Sequence, residues 1–318
     1  MYDPLPTYSM RSLSLLPVCA LFISACTAAP ITDPESSDLL HITASMYPLA
    51  FMAERIGGEY ADVTLMTPAG GEPHDYEPTP RDITTIQSSD VFLVNGVVDA
   101  WAEEIDTGSA TRVLMEEKIS FYQDSEDSED SEDSEETDEH DHVGTDPHIW
   151  LDPVLAQEMA IIIRDTLMAR DVPHADAYKM NADMLIQELQ RIDTEYETGL
   201  KTCNLRSIIV SHDAFRYIGR RYQIDILPIS GLSPEEEPSA KKLAEITDIA
   251  EERGIKHVFF ETLASPKLAQ TLARETGATS LELNPLEGLT AEDAANGKNL
   301  LSLMRQNLQN LRIAMVCQ

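Results

Sequence analysis

Residues 175–200 read ADAYKMNADMLIQELQRIDTEYETGL. Leu185, Leu189, Ile192 and Tyr196 recur there at spacings of four, three and four, which puts them on one face of an α-helix. No proline interrupts the stretch, and its one glycine is Gly199. A helix from about Ala175 to about Leu200 is long for a globular protein. In mid-chain it reads as a rigid connector, occupying 171–203, between two lobes.

On either side of this connector, short apolar runs alternate with helical patterns. Before it, Leu40 to Ser45, Val63 to Met66, Val91 to Asn95 and the weaker Thr111 to Met115 read as strands. The continuous apolar run at 91–95 suits a buried parallel strand. Asp152-Pro153 is an N-cap followed by proline at the first helical position, and Met159, Ile162, Ile163 and Leu167 share the face of the helix it starts. After the connector, strands are expected at Ser207 to Val210, Ile224 to Ile229, His257 to Phe260 and Thr279 to Leu283. Lys241 to Glu252 reads as a helix with Leu243, Ile246, Ile249 and Ala250 inward. Ser265-Pro266 is expected to cap the next helix. The last helix carries Leu301, Met304, Leu308, Leu311 and Met315. Strand–helix alternation in both halves predicts an α/β fold of two lobes with parallel-rich sheets, 39–170 and 204–318.

The chain has 318 residues, 42% of them hydrophobic, enough for two medium cores. Leu13 to Ala25 is apolar but too short to span a bilayer as a mature helix. It ends in Ile23-Ser24-Ala25-Cys26, which looks like the lipobox of a bacterial lipoprotein. Residues 1–25 then form a cleaved signal, Cys26 carries the lipid, and 26–38 form a flexible tether rich in Pro, Ser and Thr. Residues 1–9 contain no basic residue, so Met10-Arg11 makes a better signal start. Of four cysteines, Cys19 lies in the signal and Cys26 takes the lipid. Cys203 and Cys317 remain, an even pair in an oxidising compartment, and a disulfide is expected. Closing so long a loop stabilises by roughly 3–5 kcal/mol in the chain-entropy model.

The formal charge is −33. Twelve acids lie between Asp124 and Asp141, and the rest of the chain still carries −21. That excludes nucleic acid as a partner, which needs a basic footprint, and draws cations at long range. Residues 123–142, QDSEDSEDSEDSEETDEHDH, cannot offset their ordering entropy by burial and read as a disordered surface loop. The loop either solubilises or gathers cations weakly through His140 and His142.

Four segments carry the chemistry: Gly70-Gly71-Glu72-Pro73-His74-Asp75-Tyr76-Glu77-Pro78, Asp146-Pro147-His148-Ile149-Trp150-Leu151-Asp152-Pro153, Ser211-His212-Asp213-Ala214-Phe215, and Leu283-Asn284-Pro285-Leu286-Glu287-Gly288-Leu289. The first, third and fourth follow predicted strands, and the second precedes a helix. Loops at the carboxyl ends of strands converge on the crevice of an open α/β sheet. Three imidazoles and one carboxylate make a tetrahedral set for Zn(II). Manganese, magnesium or calcium would favour more oxygen and more ligands. His41, His174 and His257 lack such surroundings. Glu72 and Glu77 read as keeping their loop solvated.

These segments, with the acidic loop and the lipobox, resemble the zinc-specific solute-binding lipoproteins of ABC metal importers, the metal-binding cluster A-I family. The resemblance covers nearly the whole mature chain. It implies two lobes joined by one long helix with the metal between them, and His74, His148, His212 and a fourth carboxylate as ligands. The third position is typically Glu in manganese or iron relatives; His212 here points to zinc. Some relatives place an Asp where Asn284 stands, and others use the Glu of an NPLEGL-type loop, so the fourth ligand is assigned to Glu287. Asn284 is then a weak or supporting contact. Asp213 and Glu261 are candidates to hold the other nitrogen of a ligating histidine. The partners implied are the importer's permease and ATPase, and a membrane reached through the lipid anchor. The protein is expected to be an extracytoplasmic monomer, and no enzyme, since four protein ligands leave no open position for substrate water. Against this stand a zinc hydrolase, disfavoured by the lack of HExxH; a metal-stabilised surface adhesin; and the same carrier for manganese.

Overall fold

The computed structural model describes residues 39–120, 122–123 and 145–318. In chain order it runs β1 (Leu40–Ala44), α1 (Tyr47–Gly57), β2 (Ala61–Leu65), α2 (Pro80–Ser88), β3 (Val91–Val94), β4 (Thr111–Leu114), β5 (Tyr122–Gln123), β6 (Thr145–Asp146), α3 (Pro153–Arg170) and α4 (Ala175–Gly199). It continues with β7 (Ser207–Val210), α5 (Arg216–Tyr222), β8 (Asp225–Pro228), α6 (Ala240–Arg253), β9 (His257–Phe260), α7 (Lys267–Thr276), β10 (Thr279–Glu282), α8 (Ala291–Ala295) and α9 (Leu300–Ala314).

Two four-stranded sheets result, ordered β2-β1-β3-β4 and β10-β9-β7-β8, and every pairing within them is parallel. Each strand order reverses around the first strand of its half, so crossovers leave on opposite sides and open a crevice at the carboxyl ends. β3 is buried at all four positions, as expected of a strand covered on both faces.

The connector is α4, 25 residues and so about 37 Å long. Tyr178, Ala182, Leu185, Leu189, Ile192 and Tyr196 are its buried stripe. A fully buried aliphatic or aromatic side chain contributes about 1.5–3 kcal/mol, so this face anchors the helix against the core. The stripe belongs to one buried cluster that includes Ile42 and Met52 of the first half and Ile208, Phe215 and Leu311 of the second. A second, smaller cluster, with Ile246, Val258 and Leu272, lies under α6 and α7. Tyr196 Oη donates to Met304 O at 2.7 Å, tying α4 to α9. Cys203 and Cys317 form a disulfide.

One local expectation fails. The helix after Ser265 starts at Lys267, its N-cap is Pro266, and no side chain caps it; Ser265 lies one residue too early to reach the free amides. Strand ends shift by a residue or two from the apolar runs: Ser45, Met66 and Asn95 are buried but lie just past the last paired residue of their strands, and β2 starts at Ala61 rather than Val63. Among the described residues no helix is long and apolar enough to cross a membrane. Cys26, the signal, the tether, and His140 and His142 lie outside the described residues.

Candidate metal centre

Four loops meet in the crevice. The first leaves β2 and reaches a 3-10 turn at Pro73–Asp75. Gly70 takes φ +80°, a left-handed conformation that favours glycine. A Cβ on Gly71 would lie 3.0 Å from Pro68 O, so a larger residue there would crowd the turn. Glu72 caps the turn by accepting the His74 N–H at 3.3 Å.

The second loop follows β6. Asp146 accepts both the backbone N–H of His148, at 3.0 Å, and its ring Nδ1–H, at 2.8 Å. Asn95 Nδ2 donates to Pro147 O at 3.2 Å, and Tyr217 Oη donates to Asp146 O at 2.8 Å. Asp152 caps α3 at the Val154 amide and takes Arg221 Nε at 2.6 Å on both oxygens.

The third loop leaves β7. His212 Nδ1 faces Glu261 Oε1 at 2.6 Å, across the sheet from the end of β9. Asp213, the other sequence candidate for this task, pairs with Arg216 instead.

The fourth loop leaves β10. Asn284 does not point at the other ligands. Its Oδ1 accepts the Leu286 N–H at 2.7 Å, its Nδ2 donates to Thr262 Oγ1 at 3.1 Å, and its main chain exchanges two hydrogen bonds with the Asn307 side chain. This pins Leu286 at φ +63° and aims Glu287 inward.

The result is one cluster: His74, His148, His212 and Glu287 each offer a donor atom within 4.8 Å of the others. Glu287 Oε1 lies 3.4 Å from His74 Nε2, 3.3 Å from His148 Nε2 and 3.6 Å from His212 Nε2. The Nε2 atoms of His148 and His212 are 3.4 Å apart. A tetrahedron with metal–ligand bonds of about 2.0–2.1 Å has edges of about 3.3–3.4 Å; these four separations lie at or near that length, and the remaining donor pairs lie within 4.8 Å. The carboxylates on Nδ1 of His148 and His212 keep the proton there and leave the Nε2 lone pairs facing inward. Glu287 Oε2 is buried with no partner.

Electrostatics agree with a cation. Burial pushes His212 down, but the charge of Glu261 and hydrogen bonds to Glu261 and Glu287 outweigh it and hold the ring well above its ordinary pKa. Burial also opposes a charged His148; its hydrogen bonds to Asp146 and Glu287 raise it. Burial pushes Glu287 up, and the three facing histidines bring it well below the usual carboxylate range. These shifts favour protonated His148 and His212 rings when no metal is bound.

Sequence reading missed two supports. Asp146 stands two residues before His148, and that proximity was the available signal. Glu72 does not merely solvate its loop: Oε2 is buried without a partner, and burial together with the Glu287 charge pushes its carboxyl up to about 8. Glu77 is exposed.

The family model described as zinc-uptake complex component A, periplasmic (ZnuA) matches residues 42–314. The high-affinity zinc uptake system protein ZnuA of Bacillus subtilis is 37% identical over 307 residues, covering 94% of this chain and 96% of that one. The zinc-binding lipoprotein AdcA of Streptococcus pneumoniae is 35% identical over 314 residues, and the chain spans 61% of its length. The Zn(II)-bound ZnuA-like domain of that protein superposes with TM-score 0.72 at 33% identity, over 87% of this chain and 99% of the domain. The laminin-binding protein of Streptococcus agalactiae, described as a bifunctional adhesin and metal transporter, gives TM-score 0.75 at 30% identity, over 87% of this chain and 99% of that one.

Proposed function

The chain belongs to the ZnuA family of zinc-uptake solute-binding proteins, and on that premise we propose that it captures Zn(II) outside the cytoplasm and hands it to an ABC importer. His74, His148, His212 and Glu287 hold the ion. The observation that carries this is the convergence of four donor atoms, three imidazole nitrogens and one carboxylate oxygen, within 4.8 Å of one another. With four protein ligands and no open position, the ion is cargo rather than a catalyst, so no enzyme activity is assigned. Three nitrogens and one oxygen favour zinc over manganese.

The proposed organisation is a signal at 1–25, a tether at 26–38 anchored by the lipid on Cys26, a first lobe at 39–170, the connector at 171–203 and a second lobe at 204–318. The working site is then the outer membrane-proximal space, where the importer's permease receives zinc and its ATPase drives uptake. The buried cluster that runs through α4 into both halves supports small loop changes on metal loss rather than a wide hinge. The acidic segment, with His140 and His142, is assigned a gathering role; deleting 124–142 should lower uptake at limiting zinc and leave the four-ligand site intact.

Elemental analysis tests the central claim. After dialysis against limiting mixed metals, the purified soluble domain should carry one zinc per chain, and His212→Ala and Glu287→Ala should not. Retention of zinc by both variants rejects the assignment. Adhesion is a second reading, supported by the likeness to the streptococcal laminin-binding protein. It requires binding to immobilised laminin that persists in His212→Ala.

A further inference from the structure

The loop that carries Glu287 grows from the second sheet, yet it is fastened to the first half on both sides of that residue. Two positions before Glu287, Pro285 O accepts the Trp150 indole N–H at 2.7 Å. Two positions after it, Leu289 O accepts the Gly70 N–H at 2.9 Å. Both donors lie in loops that carry histidines of the cluster. Trp150 is completely buried, and its ring centroid is 5.2 Å from that of His148. Leu286, between the two fastenings, holds a left-handed backbone that a buried non-glycine residue keeps only when its surroundings impose it. Neither Trp150 nor Gly70 offers an atom to the ion.

We infer that Trp150 is a positioning residue: its indole N–H latches the Glu287 loop to the His148 loop and thereby sets how long zinc stays in the site. The ring fills space that other large apolar groups can fill. The N–H is different, because without it Pro285 O is buried without a donor, and the loop must shift to rehydrate that carbonyl. Such a shift moves Glu287 away from His148. Supports of this kind change metal affinity by about 10–100-fold. By linkage, an ion bound to His148 and Glu287 at once must tighten the latch as much as the latch tightens the ion.

This inference rests on the zinc site proposed above, and its test separates the two. Wild type, Trp150→Phe and Tyr196→Phe are loaded with zinc and mixed with excess chelator, and dissociation is followed by stopped flow. Tyr196→Phe is the control, since it removes a buried side-chain-to-carbonyl bond between α4 and α9 away from the four ligands. Trp150→Phe is expected to release zinc about tenfold faster or more, while Tyr196→Phe lowers the melting temperature of the metal-free protein without changing release. Equal release by wild type and Trp150→Phe, or equal acceleration in both variants, overturns the latch. Failure of the wild type to bind one zinc overturns the site reading instead.

If Trp150→Phe does not fold, hydrogen exchange at the indole N–H of the wild type decides. The chain holds two tryptophans, and Trp101→Phe assigns their signals. Zinc should slow exchange at Trp150, and an unchanged rate with and without zinc overturns the inference.

Discussion

The first and second histidine loops supply the same imidazole to the same point, and they are built differently. The loop of His74 is glycine-rich, its side chain is 12% exposed, and no carboxylate among the described residues backs its Nδ1. The loop of His148 is entirely buried, with Asp146 behind the ring and Asn95, Tyr217, Arg221 and Pro285 fastened along it. His212 resembles His148, with Glu261 as its backing group. The lesson is a division of labour. Two imidazoles are fixed in advance by buried carboxylates, which lowers the ordering cost of binding. The third sits on the exposed side of the cluster, where an arriving ion can meet it first.

Removing ligands from the two kinds of loop gives the largest expected contrast. His148→Ala should lose stoichiometric zinc altogether, whereas His74→Ala should still bind one zinc per chain at saturating metal with a faster release. Titration against a chelator of known affinity measures both. A greater loss in His74→Ala would reverse the proposed hierarchy.

Next come the backing groups. Asp146→Asn and Glu261→Gln should each lower zinc affinity by about 10–100-fold, because the amide no longer holds the Nδ1 proton as a charged acceptor. A similar loss on replacing Asp213, which pairs with Arg216, would break the distinction between backing and capping carboxylates.

A smaller, graded effect is expected from pH. His212 and His148 are raised in the metal-free protein, so zinc must displace protons from them. Affinity should therefore fall as pH falls, and the fall should begin above the ordinary histidine range near 6.5. Stability of the metal-free form runs the other way. The raised His212 contributes fully below its unfolded pKa, and that contribution is lost as pH rises through the folded value. The zinc-induced rise in melting temperature should thus grow from pH 6 to pH 9. A rise that is flat with pH would mean the rings are already neutral.

The effect assigned to Glu72, on the open loop, is on the stability of the metal-free protein rather than on zinc. With its carboxyl raised to about 8, the native state holds a proton that the unfolded chain releases near the ordinary carboxylate value, so stability declines between those two pH values. Metal-free Glu72→Gln lacks that decline. It should match the parent near pH 4.5 and melt progressively higher than it toward pH 9. Parallel melting curves across that range would place Glu72 in water.

Periodicity made the architecture legible. The stripe from Leu185 to Tyr196 announced the connector, and the runs at 207–210 and 257–260 coincide with β7 and β9, whose central positions are apolar and buried because both faces of the strand are covered there. Cap residues were less legible: Asp152 caps α3, but Ser265 caps nothing, because one residue of offset puts a hydroxyl out of reach. At the site, segment-level resemblance named the four side chains that the structure brings together. It could not choose Glu261 over Asp213 as the group behind His212, nor find Asp146, Glu72 or Trp150.

Local sequence determined what local forces decide: which stretches are helix or strand, which loops contain imidazole, and a net charge of −33. Tertiary structure decided which carboxylate faces which ring, that Asn284 serves its own loop rather than the ion, and that Glu287 is latched across the crevice. Those choices depend on distances of about 3 Å between residues as far apart as Trp150 and Pro285, and packing of the whole chain sets such distances.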